Sequence, residues 1–491
     1  MTTESNSLQD SLEVRELLAA LPEEINEEKV QNDLPADLIS HISTKKVPVG
    51  SLVRMWTLGS MQAKIATGYL AYAVRSNFLN KTEKQKLLNE TNLTAALKLF
   101  GTMGYLRGAI MKVGQMLGNL PTVLPQEFAD VLGSLHFEAP PMHYSMIREV
   151  FLNELGKEPE EIFVSFERKA FAAASLGQVH RARLKTGEEV AVKIQYPSMD
   201  STINADMQNL RLLLMPMCLT SEWDYIKDHL QDIEEMLKLE ADYEKEALFL
   251  QKAYELFKQH DQITVPRYYP QYSSSKVLTM DYLDGNPLTV FLKENPSSTA
   301  RNHFGELISV ALMRLSYYSR TYYTDPHPGN FLMLDNGSLG FIDFGCYRKL
   351  TDKEWEVSND GEKALMFSHD EELLNKVIAQ GCLHADVKEM DQSRVDLIRK
   401  SIQWQAEPAQ ENAPFDFSND DWFQRGVDIN MEIIKQHQSR YTPAWNWTTR
   451  TLIGHRTLMY RLKCKFNFRK LYIENNPFIS SDWAKLEDKL P

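Results

Sequence analysis

The sequence predicts an α+β fold in two lobes, a small β-sheet lobe followed by a mainly helical one. Residues 162–197 alternate β-branched and polar side chains around a turn at Lys185–Glu188, which is the texture of paired strands. A second hairpin pattern has arms at Phe331–Leu334 and Leu339–Ile342, with Asp335-Asn336-Gly337-Ser338 as the turn. The stretches 82–118 and 304–323, and the chain after Gly345, read as helices.

The 491 residues leave room for one large unit with extensions, or for two or three domains. The boundaries read as an acidic segment 1–47, a helical extension 48–145, the small lobe 146–285 and the helical lobe 286–491. A net charge of −13 argues against general nucleic-acid binding. The four cysteines are scattered and form no CxxC, so neither a disulfide framework nor a zinc site is expected.

Residues 1–40 hold ten acids and two bases and lack the apolar core of a signal peptide. A cytoplasmic protein, at most peripheral on a membrane, is the expectation. The most apolar run, 52–79, has only Gln62 and Lys64 as strongly polar residues between Trp56 and Val74. A helix packed on the protein, a helix on a membrane surface and a spanning helix are the three readings. The central lysine makes a span the poorest of them. In 82–118 the residues Leu97, Phe100, Met103, Leu106, Ile110, Val113 and Leu117 recur at helical spacing and describe one buried face. Lys112 and Gln115 share one side of that helix. Pro121, Pro125, Pro140 and Pro141 then break the chain.

In the strand-rich stretch, the small-residue run Ala172-Ala173-Ala174-Ser175-Leu176-Gly177 precedes Lys193, which lies in a Val-Ala-Val-Lys strand. Protein kinases use this order: a small-residue loop lets backbone N–H groups approach phosphates, and a strand lysine supplies positive charge. A lysine in so apolar a strand needs an anion. Glu240, Asp242, Glu244 and Glu246 offer one, and Glu246 has the strongest helical context and an apolar flank. Val277–Met280 reads as the strand entering a hinge. Met280 would back an adenine pocket, and the backbone of Asp281 and Leu283 would hydrogen-bond the base.

Thr324–Gly345 then places Asp325 five residues before Asn330, with the hairpin leading to Asp343-Phe344-Gly345. Kinases set a catalytic Asp five residues before a metal-binding Asn and hold metal with the Asp of D-F-G. The hairpin brings Asn330 and Asp343 to one end. Further on, Arg450–Lys470 carries seven bases and no acid, interleaved with Tyr460, Phe466 and Phe468. It reads either as a contact for an anionic membrane surface or as an amphipathic helix answering the protein's own acids.

Taken together, the sequence resembles the UbiB/AarF family of atypical protein-kinase-like proteins linked to ubiquinone biosynthesis, over roughly residues 48–350. Lys112-Val113-Gly114-Gln115 is similar to the family's K-x-G-Q motif, Ala172–His180 to its alanine-rich loop, and Asp325–Asn330 to its catalytic loop. Glu240-Ala241-Asp242 resembles its E-x-D motif, with Glu246 following in register. The resemblance implies a protein-kinase-like two-lobe fold binding ATP or ADP with Mg2+. It implies catalytic roles for Asp325, Lys193 and Glu246, and metal ligation by Asn330 and Asp343. Nucleotide contacts would come from Ala172, Ala173, Ala174, Ser175, Gly177, Val179, Lys193, Met280, Asp281 and Leu283. Lys112, Gly114 and Gln115 would lie across the active-site mouth, with Glu240 or Asp242 near Lys112, blocking protein substrates.

Ordinary kinases differ in three respects. Tyr323-Thr324 stands where His-Arg precedes the catalytic Asp, His327 replaces a lysine, and no A-P-E follows Gly345, so a peptide platform is missing. Within the family, His136-Phe137 replaces a common Gln-Asp. The expected activity is an ATPase or a kinase of small or lipidic molecules in quinone or isoprenoid metabolism. A nucleotide-gated lipid-binding protein is the alternative, and a conventional protein kinase fits less well. Partners would be the nucleotide, a lipid or quinone intermediate and an anionic membrane surface, with no nucleic acid.

Overall fold

The computed structural model describes residues 83, 87, 142–174, 176–197, 203–204, 207–208, 211, 223–324, 326–366, 370–381, 392–435 and 443–477. Glu83 and Leu87 are helical. The apolar run 52–79 and the residues Lys112, Gly114, Gln115, Ser175 and Asp325 lie outside the described residues. The described chain falls into two compact units, one made of residues up to Ile147, Arg168–Val179 and Ile194–Ala241, the other of Arg148–Glu167, His180–Lys193 and the chain from Asp242.

Helices α1 (Tyr144–Leu155) and α2 (Pro159–Ile162) are followed by strands β1 (Ser165–Phe166), β2 (Ala172–Ala174), β3 (Gly177–Arg183) and β4 (Glu189–Gln195). In the first unit, β2 pairs antiparallel with the opening residues of β3, Ala172 facing Val179 and Ala174 facing Gly177. The alanine-rich loop is therefore a tight hairpin. Helix α3 (Trp223–Glu240) ends this unit, where the Gln195 side chain donates to the Ala241 carbonyl at 2.8 Å.

The second unit continues with α4 (Tyr243–Phe257), β5 (Ile263–Thr264), β6 (Val277–Asp281), β7 (Gly285–Pro287), α5 (Leu288–Lys293), α6 (Ser298–Ser319), β8 (Thr321–Tyr323), β9 (Phe331–Leu334), β10 (Leu339–Phe341) and β11 (Tyr347–Lys349). Its small sheet runs in the order β1-β3-β4-β6. Asp242 caps α4 by accepting the Lys245 N–H at 3.0 Å, which satisfies one of the unpaired donors of the first turn. The hairpin of β9 and β10 closes through Gly337, whose φ of +81° suits glycine. It sits in a second sheet ordered β5-β10-β9-β7.

Helix α6 is the axis of the helical part. Twelve of its residues are buried, Phe304 to Tyr317 among them, the mark of a helix covered on all sides. The apolar run read as helix to 323 stops earlier. Arg320 takes a left-handed conformation at φ 51° and ends α6, and the β-branched and aromatic Thr321-Tyr322-Tyr323 continue as β8.

Four longer helices follow: α7 (Asp352–Met366), α8 (Glu371–Gly381), α9 (Gln392–Gln410) and α10 (Asp420–Lys435), with the short strand β12 (Phe415–Asp416) between the last two. Helix α11 (Pro443–Leu462), β13 (Lys465–Phe466) and α12 (Phe468–Asn475) complete the described chain. Ala364, Leu374, Val377, Ile378, Ile398 and Ile402 form one core among α7, α8 and α9. The chain after Gly345 is thus not purely helical: β11 pairs with β8, and β12 with β13.

Candidate functional site

Lys193 lies near the end of β4, whose inner positions are buried. Its Nζ donates to both carboxylate oxygens of Glu246, at 2.8 Å each, and lies 3.6 Å from Asp343 Oδ2. It also lies 5.1 Å from the centre of the Tyr243 ring. Tyr243 and Glu246 are three apart on α4, so one helix face brings both to the lysine. The Glu246 and Lys193 side chains are 2% and 6% exposed, while that of Asp343 is 35% exposed. Of these three groups only Asp343 reaches solvent.

Burial governs the electrostatics. It works against the Lys193 charge, but the carboxylates of Asp343 and Glu246 outweigh it and hold the ammonium well above the usual lysine range. Burial also pushes Glu246 up to about 7, with the neighbouring Asp343 charge adding to the rise and Lys193 opposing it. The lysine keeps its charge, and the two acids compete for it.

Helix α4 is also tied to the D-F-G segment. Glu246 accepts a hydrogen bond from the Phe344 backbone. A Cβ on Gly345 would come within 3.3 Å of Glu246 Oε2, so glycine permits this close approach. Phe249, one turn along α4, stacks on Tyr347 with centroids 3.9 Å apart and meets Phe344 edge-on at 5.9 Å. Phe344 packs in turn against Phe341, which contacts Phe331 and Tyr323.

Asn330 closes a short 3-10 turn, Pro328–Asn330, led by His327, whose Nδ1 accepts the Gly329 N–H at 3.0 Å. The Asn330 amide nitrogen donates to the Tyr323 hydroxyl, and its backbone carbonyl accepts the Ile342 N–H at 3.1 Å. Asp343 follows Ile342, so the hairpin brings Asn330 and Asp343 to the same end. Among the described residues no group of three or more His, Cys, Asp or Glu side chains could hold a metal by itself. Magnesium commonly uses one or two carboxylates completed by phosphate oxygens and water. One carboxylate and one amide fit that pattern, and Asp343 and Asn330 would hold the ion.

At the hinge, the backbone contact expected of Asp281 narrows to one atom. Met280 is buried, and Leu283 packs its side chain toward Gly340. The Asp281 N–H, however, is committed to the Arg267 carbonyl at 3.0 Å. Its carboxylate accepts from the Tyr269 hydroxyl at 2.6 Å and from the Arg267 N–H at 2.9 Å. Asp281 could therefore meet adenine only through its carbonyl oxygen. Glu240 is buried at the end of α3, and Asp242 caps α4 while pairing with Lys245 at 2.8 Å.

The basic stretch 450–470 does not form one surface. Arg456 is buried, donates to the Gln405 carbonyl and to His455 Nδ1 at 2.8 Å each, and lies over the Phe468 ring. Arg469 donates to the Gln410 carbonyl at 2.6 Å. These two tie α11 and α12 to the end of α9, while Arg461, Lys463, Lys465 and Lys470 are exposed.

Contacts that the sequence does not announce include those of Tyr243, Tyr323, Phe249 and Tyr347. The first could have been found from its i, i+3 spacing to Glu246. The others carry no local signal.

The ABC1 atypical kinase-like domain matches residues 134–357. AarF domain-containing kinase 1 of Drosophila melanogaster is 35% identical over 57% of this chain and 54% of its own. Atypical kinase COQ8, mitochondrial, of Schizosaccharomyces pombe is 32% identical over 62% and 50%, and its Saccharomyces cerevisiae counterpart 29% identical over 66% and 64%. The chain thus spans about half to two thirds of the length of these curated relatives. A solved structure described as the complex of Rv3197 with erythromycin from Mycobacterium tuberculosis is 25% identical, with a TM-score of 0.56 over 81% of this chain and 99% of that one.

Proposed function

Because this chain belongs to the UbiB/AarF family of atypical protein-kinase-like proteins, we propose that it binds ATP or ADP with Mg2+ and turns ATP over, as an ATPase or by transfer to a small or lipidic acceptor. The single observation that carries this is the buried Lys193–Glu246 pair with Asp343 at 3.6 Å. A charged lysine beside a half-open carboxylate suits a phosphate bridged to a divalent cation. Lys193 would hold the phosphates, Glu246 would orient Lys193, and Asp343 and Asn330 would hold magnesium, which shields the phosphate charge when bound. Asp325 would orient the acceptor oxygen or water. By its resemblance alone, the alanine-rich hairpin would offer backbone N–H groups to a phosphate.

The segment after Gly345 favours an acceptor other than a peptide. It forms β11 and enters α7 at Asp352, and this short path, with no A-P-E motif, supports an acceptor other than a peptide. The COQ8 names of two relatives support a quinone or isoprenoid setting. The exposed bases Arg461, Lys463, Lys465 and Lys470 are where an anionic membrane surface would be met. Among the described residues no helix is long and apolar enough to cross a membrane.

The test is ATP turnover by purified protein, with and without anionic lipid, against the Lys193→Ala and Asp343→Asn variants. Both variants should lose turnover. Variants as fast as the wild type would remove the assignment.

A further inference from the structure

Helix α11 lies far along the chain from the D-P-H-P-G-N segment, yet it touches that segment on both sides of residue 325. The Thr451 hydroxyl donates to the Tyr323 carbonyl at 2.8 Å. Three residues on, a Cβ built at Gly454 would overlap the Pro326 ring. Glycine inside a helix costs about 0.5–1 kcal/mol relative to alanine, and here its missing side chain lets the helix backbone meet that ring. Tyr323 passes the contact on, since its hydroxyl accepts from Asn330. The neighbouring Thr324 N–H is fixed to the Cys346 carbonyl at 3.1 Å.

The helix is anchored from behind. Arg456 can only donate, so His455 Nδ1 must accept from it. The His455 Nε2 proton then goes to Ser309 Oγ of α6, 2.7 Å away, and Ser309 donates to the Gly305 carbonyl at 2.8 Å. Each bond in this chain has one possible direction, and Arg456 continues it to the Gln405 carbonyl of α9. Helix α11 is thereby set against both α6 and α9.

We infer that α11 is the positioning element of the D-P-H-P-G-N segment, with Thr451 and Gly454 as positioning residues that set its backbone on either side of residue 325 and, through Tyr323, the amide of Asn330. The kinetic part of this inference rests on the proposed ATP use. The structural part does not.

The experiment uses the full chain with Thr451→Val, Thr451→Ser and Gly454→Ala. Hydrogen exchange of the amides in 321–331 should quicken by about tenfold or more in Thr451→Val and Gly454→Ala, while α6 and α9 keep their protection. ATP turnover should fall about 10- to 100-fold and need more Mg2+, whereas nucleotide binding without Mg2+ stays unchanged. Thr451→Ser, which keeps the hydroxyl, should restore both. If Gly454→Ala does not fold, Thr451→Val and its serine rescue decide alone. Unchanged exchange in 321–331, or exchange that rises equally in α6 and α9, would overturn the inference. If the wild-type protein neither binds nor turns over nucleotide, the proposed function fails, and the exchange pattern still decides the positioning role.

Discussion

Replacing Glu246 with Gln removes the charge that holds Lys193 in the interior and keeps the side chain's volume. Lys193 Nζ meets both Glu246 oxygens at 2.8 Å, with the pair 6% and 2% exposed. Breaking a buried pair by removing one partner costs about 3–5 kcal/mol, because the remaining charge is stranded. Asp343, 3.6 Å from the ammonium and partly exposed, would take over some of that charge. The expected loss is therefore about 2–3 kcal/mol, or roughly 30- to 150-fold in the folding equilibrium. Urea unfolding of the wild type, Glu246→Gln, Lys193→Met and the double variant measures it. The double variant should regain much of the loss, since it leaves no stranded charge. A single variant as stable as the wild type, or a double variant whose losses simply add, would refute the reasoning. Lys193 drawn onto Asp343 would also compete with Mg2+, so the single variant should need more Mg2+ for nucleotide binding.

The Glu246 carboxyl, pushed up to about 7 by burial, holds its proton longer in the folded state than in the unfolded chain. Its contribution to stability therefore falls as pH rises from about 4.5 to 7, and a pH series of urea midpoints should show a shallower decline in Glu246→Gln. Arg456→Leu should cost about 2–4 kcal/mol by leaving the Gln405 carbonyl and His455 without their donor. Arg456→Lys should not rescue it, because one ammonium cannot match the planar fork. A thermal shift of less than a degree in either variant would count against that clamp.

Much of the strand architecture is legible in the sequence because its signals are local. The Asn336-Gly337 turn needs a positive φ, and the observed hairpin has it at Gly337. The small-residue run before β3 reads as a loop, and its first three residues instead pair as a strand with the start of β3. The Lys193–Glu246 pairing is legible for another reason: a lysine within Val-Ala-Val cannot stay charged without an anion. Legibility ends where contacts cross the chain without a sequence pattern. The Asp281 N–H is taken by a backbone carbonyl, that of Arg267, and any residue at 267 offers one. The two readings of 450–470, an anionic-surface contact and a packed amphipathic helix, stay open in the sequence because composition cannot show that Arg456 and Arg469 end on helix carbonyls. Thr451 and Gly454 are ordinary helix residues until the segment from Tyr323 to Pro326 is seen beside them.

The packing of Phe249, stacked on Tyr347 and edge-on to Phe344, bears on ligand chemistry. A compound that entered the space behind the D-F-G phenylalanine would first have to swing that ring outward. Here Phe344 has no exposed surface, and its ring is wedged among Phe249 and Phe341. Exposing such a ring to water costs about 1.5–3 kcal/mol before any drug contact is made, and a compound of that type loses about one to two powers of ten in affinity to it. Compounds shaped to the assembled site carry no such penalty, so a screen should favour ligands that leave Phe344 where it lies.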